Sequence, residues 1–306
     1  MNTKTRLSRW LATAGSAGIA ALVLGGATLA TAQDAEMSMS EMAKKSANPM
    51  SDIWMLLCQN DLSYIDGGAV PGDGGRWMNS FKFMPVMPLP IMDGDWNLIF
   101  RPVFPFLSSP YNDDLVRNPA APLFDRTDGM GDMVLLSLIG PNTTDGLVWG
   151  AGLTQMFPTA SQDILGQHKW QAGPAFIIAS LGTESGGLGF ENWNIGMLAQ
   201  QWWSYAGNSK WGHTSQMDIQ YFINWRLNET ALIGMTPNIS IDWTAKSGNR
   251  ISVPIGLGYI DIIKIGKLPV RVGIEAQYYV VRKDSSGPEW NIRLIFSPII
   301  ANPFKK

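Results

Sequence analysis

Residues 216–243 read QMDIQYFINWRLNETALIGMTPNISIDW, two alternating arms separated by Leu227, Asn228 and Glu229. On the first arm Met217, Ile219, Tyr221, Ile223 and Trp225 share one face, and Gln216, Asp218, Gln220, Asn224 and Arg226 the other, with Phe222 the exception. The return arm sets Ile233, Met235, Ile239, Ile241 and Trp243 against Thr236, Asn238, Ser240 and Asp242. Strand side chains point alternately to two faces, so a period of two with one apolar and one polar side predicts a β-hairpin. An aromatic near the end of each arm, Trp225 and Trp243, completes the pattern of a membrane-crossing hairpin, apolar toward lipid and polar toward a lumen.

The pattern recurs along the chain. Val270, Val272, Ile274, Ala276, Tyr278 and Val280 oppose Arg271, Gly273, Glu275 and Gln277, and Trp290, Ile292, Leu294 and Phe296 oppose Asn291, Arg293 and Ser297. Trp96, Leu98, Phe100 and Phe104 oppose Asn97 and Arg101. About twelve such runs are expected, near 53–64, 77–88, 95–105, 131–140, 147–157, 169–180, 190–204, 215–226, 230–243, 250–263, 268–281 and 289–298. A strand of ~10 residues rising ~3.4 Å each and tilted ~40° spans about 26 Å, the height of an outer-membrane apolar band.

The connections alternate in length. Segments 65–76, 106–130, 158–168, 205–214, 244–249 and 282–288 are mostly long, whereas 89–94, 141–146, 181–189, 227–229 and 264–267 are mostly short. Outer-membrane barrels pair short periplasmic turns with longer external loops. The expected fold is therefore all-β, a transmembrane antiparallel up-and-down barrel of about twelve strands behind a short N-terminal helical or disordered segment. The longest loop, 106–130, with Asp113, Asp114, Asp125 and Asp128, is a candidate lid or constriction. Pro85, Pro88, Pro102, Pro174, Pro237, Pro254 and Pro269 lack the N–H that a closed ladder needs, so several must mark bulges or kinks.

Composition agrees. Of 306 residues 45% are hydrophobic and only 16% charged, and mean hydropathy is near zero. That average is too polar for a helical membrane protein and poorer in charge than the ~25% of a soluble domain. Residues 1–32 read as a secretory signal peptide: Lys4, Arg6 and Arg9 precede an apolar run over 11–24, and Ala30-Thr31-Ala32 is a cleavage site near Ala32. Its removal leaves 20 Lys and Arg against 25 Asp and Glu, a net charge of about −5, which gives no support for nucleic-acid binding. Residues 33–52 are expected as a periplasmic segment or plug before a barrel over 53–306. Ser38 and Glu41 form a capping box there, and Asn48-Pro49 ends the helix.

Catalytic chemistry has little footing. His213 and Ser215 form the one nucleophile–base pairing worth weighing, for a barrel enzyme acting on lipid, with a spacing that fits loop residues better. Asp125, Asp128 and Asp132 offer carboxylates but not the register of a calcium loop. No cofactor or metal is expected. Cys58 reads as a small strand residue. The informative side chains are charges on the face opposite the lipid: Arg101, Asp218, Arg226, Asp242, Arg271, Glu275 and Arg293. These lumen-lining candidates form either a selective polar constriction or an internal salt-bridge network that stiffens the barrel.

Ordered motifs add a resemblance. Asn48-Pro49-Met50-Ser51-Asp52-Ile53, Gln59-Asn60, Gly129-Met130-Gly131-Asp132, Trp149-Gly150-Ala151-Gly152 and Phe157-Pro158-Thr159-Ala160 are followed by Lys169-Trp170, Gly173-Pro174, Asp242-Trp243, Val253-Pro254, Tyr278-Tyr279 and Trp290-Asn291-Ile292-Arg293. The series, from about residue 43 to the end, resembles a family of Gram-negative outer-membrane proteins described as meta-pathway phenol-degradation transporters, often filed under the name neuromedin U. That resemblance implies an outer-membrane barrel, inserted by barrel-assembly machinery, that passes small hydrophobic or aromatic solutes. It brings no catalytic residues. The C-terminus departs from the usual terminal aromatic, since Lys305-Lys306 follow Phe304, leaving the end of the last strand open.

Overall fold

The computed structural model describes residues 38–70, 74–143, 146–182 and 191–304. The expected signal peptide over 1–32 lies outside the described residues.

Fourteen strands form one antiparallel sheet. They are β1 (Trp54–Asp66), β2 (Arg76–Ile91), β3 (Trp96–Tyr111), β4 (Phe124–Met130), β5 (Met133–Pro141), β6 (Gly146–Phe157) and β7 (Lys169–Leu181), then β8 (Trp193–Gly207), β9 (Ser215–Arg226), β10 (Leu232–Met235), β11 (Asn238–Asp242), β12 (Ile251–Ile265), β13 (Leu268–Val281) and β14 (Gly287–Ile300). The first and last strands pair, from Trp54 opposite Ile300 to Asp66 opposite Gly287, so the sheet closes. β4 only folds back on β3, and β10 and β11 are halves of one stave, which leaves a closed barrel of twelve staves. Closure removes both sheet edges.

The inside-out alternation is clearest in β14, where Trp290, Ile292, Leu294 and Phe296 are exposed and Asn291, Arg293 and Ser297 are buried. In β6 Leu147, Trp149 and Leu153 face outward around Val148 and Thr154. Aromatic pairs ring both ends of this apolar band. Trp96–Trp149 and Trp193–Trp225 meet edge to face near the short turns, at centroid separations of 5.9 and 5.0 Å. Tyr64–Trp77 and Phe157–Trp170 do so near the long loops, where Tyr278 and Trp290 meet at a tilt.

Prolines interrupt the ladder as a missing N–H requires. The β2–β3 pairing is interrupted, without a change of register, between Phe83/Phe104 and Met87/Phe100, beside Pro85 and Pro102. The β7–β8 pairing is likewise interrupted around Pro174, and the β12–β13 register slips at Pro254. The deepest break is at Thr236-Pro237, which splits the stave into β10 and β11.

Two regions differ from expectation. Segment 106–130 is not an irregular loop: β3 runs on to Tyr111 and β4 returns along it, extending the wall. This hairpin joins neighbouring loops, with the Ile164 amide donating to Asp113 (2.9 Å), Arg117 facing Asp163 (3.4 Å) and the Tyr111 hydroxyl meeting that of Ser286. The last strand continues past Phe296 to Ile300, and Asn302 then ties the tail back by donating to the carbonyls of Asp52 (2.9 Å) and Pro88 (3.0 Å).

Among the described residues one α-helix, α1 (Met39–Ala47), precedes the barrel. Ser38 caps it by accepting from the Glu41 amide (3.1 Å). Lys45 pairs with Asp52 (3.1 Å), bringing the helix beside the start of β1.

Candidate functional site: a two-walled lumen

The inner surface is chemically divided. Staves β9 through β14, with β1 and β2, carry a continuous polar network. Arg293 donates from Nε to Asp61 Oδ1 (2.8 Å), and Lys82 reaches Asp61 Oδ2 (3.0 Å). Gln59 donates to the same carboxylate (2.6 Å), as does Asn291 (3.1 Å), which also donates to Gln277 (3.0 Å). Gln277 in turn donates to Glu275 (2.9 Å). Buried ions are tolerable when paired and hydrogen-bonded, as Asp61 and Arg293 are at 6% and 4% exposure, while Glu275, at 3%, is held by hydrogen bonds alone.

Glu275 and Arg293 have a second task. Where Pro237 splits the stave, the backbone of Thr236 loses its ladder partners. The Glu275 carboxylate accepts from the Thr236 amide (3.0 Å) and hydroxyl (2.7 Å), while Arg293 Nη1 donates to the Thr236 carbonyl (2.5 Å). Arg293 Nη2 donates to Asn238, whose amide passes a bond to Asp218 (2.9 Å). Both groups are thus occupied as structural clamps of a broken strand, satisfying backbone groups that have lost their ladder partners.

The facing staves, β3 and β5 through β8, carry an apolar cluster inside, with Arg101, Thr154, Gln171 and Gln200 as polar exceptions. Ile99, Leu136, Leu138, Val148, Ala175, Ile177, Ala179, Leu181 and Leu198 form one buried cluster, with Met50 at its centre and fully buried. Gly140 and Gly150 make room for it: a Cβ on Gly150 would stand 2.8 Å from Met50 Sδ, and one on Gly140 2.9 Å from its Cε. Asn97 holds the segment by donating to the Met50 carbonyl (2.8 Å), and Asn48 donates to the Thr143 carbonyl (2.6 Å). Arg271 donates to the Ser46 carbonyl (2.7 Å), in the last turn of α1, where the helix dipole favours a cation.

The other expected residues fall at three levels. Arg226 borders a crevice with Ala43, Ser46 and Arg271 at the short-turn end. Arg101 sits mid-barrel, lining two cavities at once, while Asp218 lines the wider one. Asp242 ends β11 near the mouth, accepting from the Thr244 amide (3.0 Å) and hydroxyl (2.6 Å) as a local turn. The sequence reading missed Asp61 and Lys82, the centre of the network. Their signal was present, because Lys82 stands alone between Phe81 and Phe83, and Asp61 lies next to outward-pointing Leu62.

Two cavities remain. The lower, of about 170 Å³, lies between the apolar wall and Ala47, Pro49, Arg271 and Thr236. The upper, of about 370 Å³, opens toward the long loops between Lys82, Asp218, Gln200, Asn238 and Asp242. Leu57, Gln59, Arg101 and Gln220 border both. No bond joins His213 to Ser215 among the described residues; Ser215 instead accepts from Gln201 (3.3 Å). Asp132 accepts from the Ala160 and Gln167 amides, and no group of three metal-ligating side chains occurs among the described residues.

The molecule is therefore a closed twelve-stave β-barrel, apolar outside, with a divided and partly filled lumen. No family model matches the chain, and no curated protein does. Among solved structures it is similar to an outer-membrane channel from Pseudomonas putida F1, with a TM-score of 0.56 and 12% identity over 82% of this chain and 96% of that one. That likeness is one of fold. A Pseudomonas aeruginosa FadL homologue overlays more loosely, with a TM-score of 0.32 and 8% identity over 82% of this chain and 90% of that one.

Proposed function

We propose that this chain is an outer-membrane channel of a Gram-negative bacterium, reached after cleavage near Ala32 and insertion by barrel-assembly machinery, that passes small hydrophobic or aromatic solutes by diffusion. The observation that carries this reading is the inverted barrel, apolar and girdled by aromatics outside, with two cavities in series inside. The fold likeness to an outer-membrane channel and the motif series of the phenol-degradation family support it. Residues 38–52 act as a plug at the short-turn, periplasmic end. The apolar wall suits solutes with little polar surface, and the polar clamp keeps the staves around them rigid.

Purified protein in planar bilayers and in liposomes tests this. Discrete conductance steps, with toluene or phenol entering protein-loaded vesicles faster than empty ones, are expected. Flat traces and equal entry rates would leave a barrel of structural or surface role with an occluded lumen, the reading that the seated Met50 favours.

A further inference from the structure

The lower cavity has an electrostatic character that the solute class above does not require. Its lining holds two formal charges, Arg101 and Arg271, and no carboxylate. Neither guanidinium makes an ion pair with a described residue: the eight ion pairs of the described chain involve other cations. Arg271 has the Ser46 carbonyl as partner. Arg101 has no protein hydrogen bond among the described residues, and its Nε is buried without an acceptor. Asn194, on the same lining, likewise buries an amide nitrogen with no acceptor. An unsatisfied buried donor is expensive, and a buried guanidinium more so.

The rest of the chamber is apolar. Ile99, Leu136, Leu138, Ile177, Leu198 and Phe222 face a space of about 170 Å³. An apolar cavity of about 150 Å³ takes a benzene ring. A guanidinium fork is matched in shape and charge by a carboxylate, which it binds bidentately.

We infer that the lower chamber is a binding subsite for a small amphipathic carboxylate, a single aromatic ring or short alkyl chain bearing one carboxylate. Its apolar body lies on the Leu136–Leu138–Ile177 wall and its carboxylate on Arg101. This deepens the transport reading and rests on it for its role, though not for binding itself. The position of Arg101 between the two chambers lets an anion arriving in the upper one exchange water for the fork before its body enters the lower.

Benzoate, toluene and benzylamine, each titrated into the detergent-solubilised full chain by calorimetry and flowed into proteoliposomes, provide the test. Benzoate is expected to bind saturably and more tightly than toluene, with benzylamine weakest. Arg101→Met should weaken benzoate at least about tenfold while leaving toluene unchanged, and Arg101→Lys should recover part of the loss. Heat-modifiable gel mobility shows that each variant is folded. Benzoate binding equal to that of toluene, or indifferent to Arg101→Met, overturns the subsite. Toluene flux with no benzoate preference would leave the channel standing without it. Saturable, Arg101-dependent benzoate binding with no flux of any solute would keep the subsite and remove the channel.

Discussion

The two halves of the barrel solve the same problem in opposite ways. From β9 round to β2 the inner face is rich in charge: Asp61, Arg293 and Lys82 hold each other, and Arg293 with Glu275 holds the broken stave at Thr236. From β3 to β8 the inner face is largely aliphatic toward the short turns, where it is covered by a piece of the same chain, Met50 with its neighbours. The difference shows that a polar inner face is not a rule of such barrels but a consequence of what lies against it. Away from the N-terminal segment, polar groups satisfy one another; where Met50 docks, ordinary core packing takes over, and α1 meets the polar half at its short-turn end through the bond from Arg271 to Ser46.

Breaking the polar half should have the largest effect. Arg293→Met removes the fork that serves both Asp61 and the Thr236 carbonyl and leaves buried acceptors unpaired, a loss of about 3–5 kcal/mol in urea unfolding from lipid or detergent. Adding Asp61→Leu to that variant should recover part of the loss, because it removes the stranded carboxylate. On the apolar half, Leu136→Ala should cost about 2 kcal/mol in the same assay, the low end for a buried leucine because the site borders a cavity. Outside both walls, Trp193→Ala removes one edge-to-face pair with Trp225 and should cost about 1 kcal/mol, without changing the lumen. A loss at Leu136 equal to that at Arg293 would erase the distinction between the halves.

The polar half was legible in sequence and the apolar half was not, for a physical reason. β9, β13 and β14 alternate because one face meets apolar surroundings and the other meets charge, so the period of two is written in binary. β5 and β7, reading MVLLSLIGP and KWQAGPAFIIASL, are apolar on both faces, which marks a strand without saying what covers its inner side. The twelve staves were therefore placed well. The charges on the alternating strands were singled out, whereas Asp61 and Lys82 were passed over. What the sequence could not supply was cross-strand pairing, so Glu275 and Arg293 stood open between a constriction and an internal network: the loss of ladder partners at Thr236-Pro237 lies two staves away from Glu275. Segment 106–130 looked loop-like because Pro, Asn and Asp crowd its tip, yet β4 pairs with β3 through ordinary backbone bonds.

Under the proposed function the barrel conducts and residues 38–52 fill its short-turn end. Single-channel conductance of the full chain beside a variant lacking those residues, both folded by gel mobility, tests it most directly. The account predicts discrete openings in both and a larger conductance in the shortened chain; equal conductance, or silence in both, would contradict it.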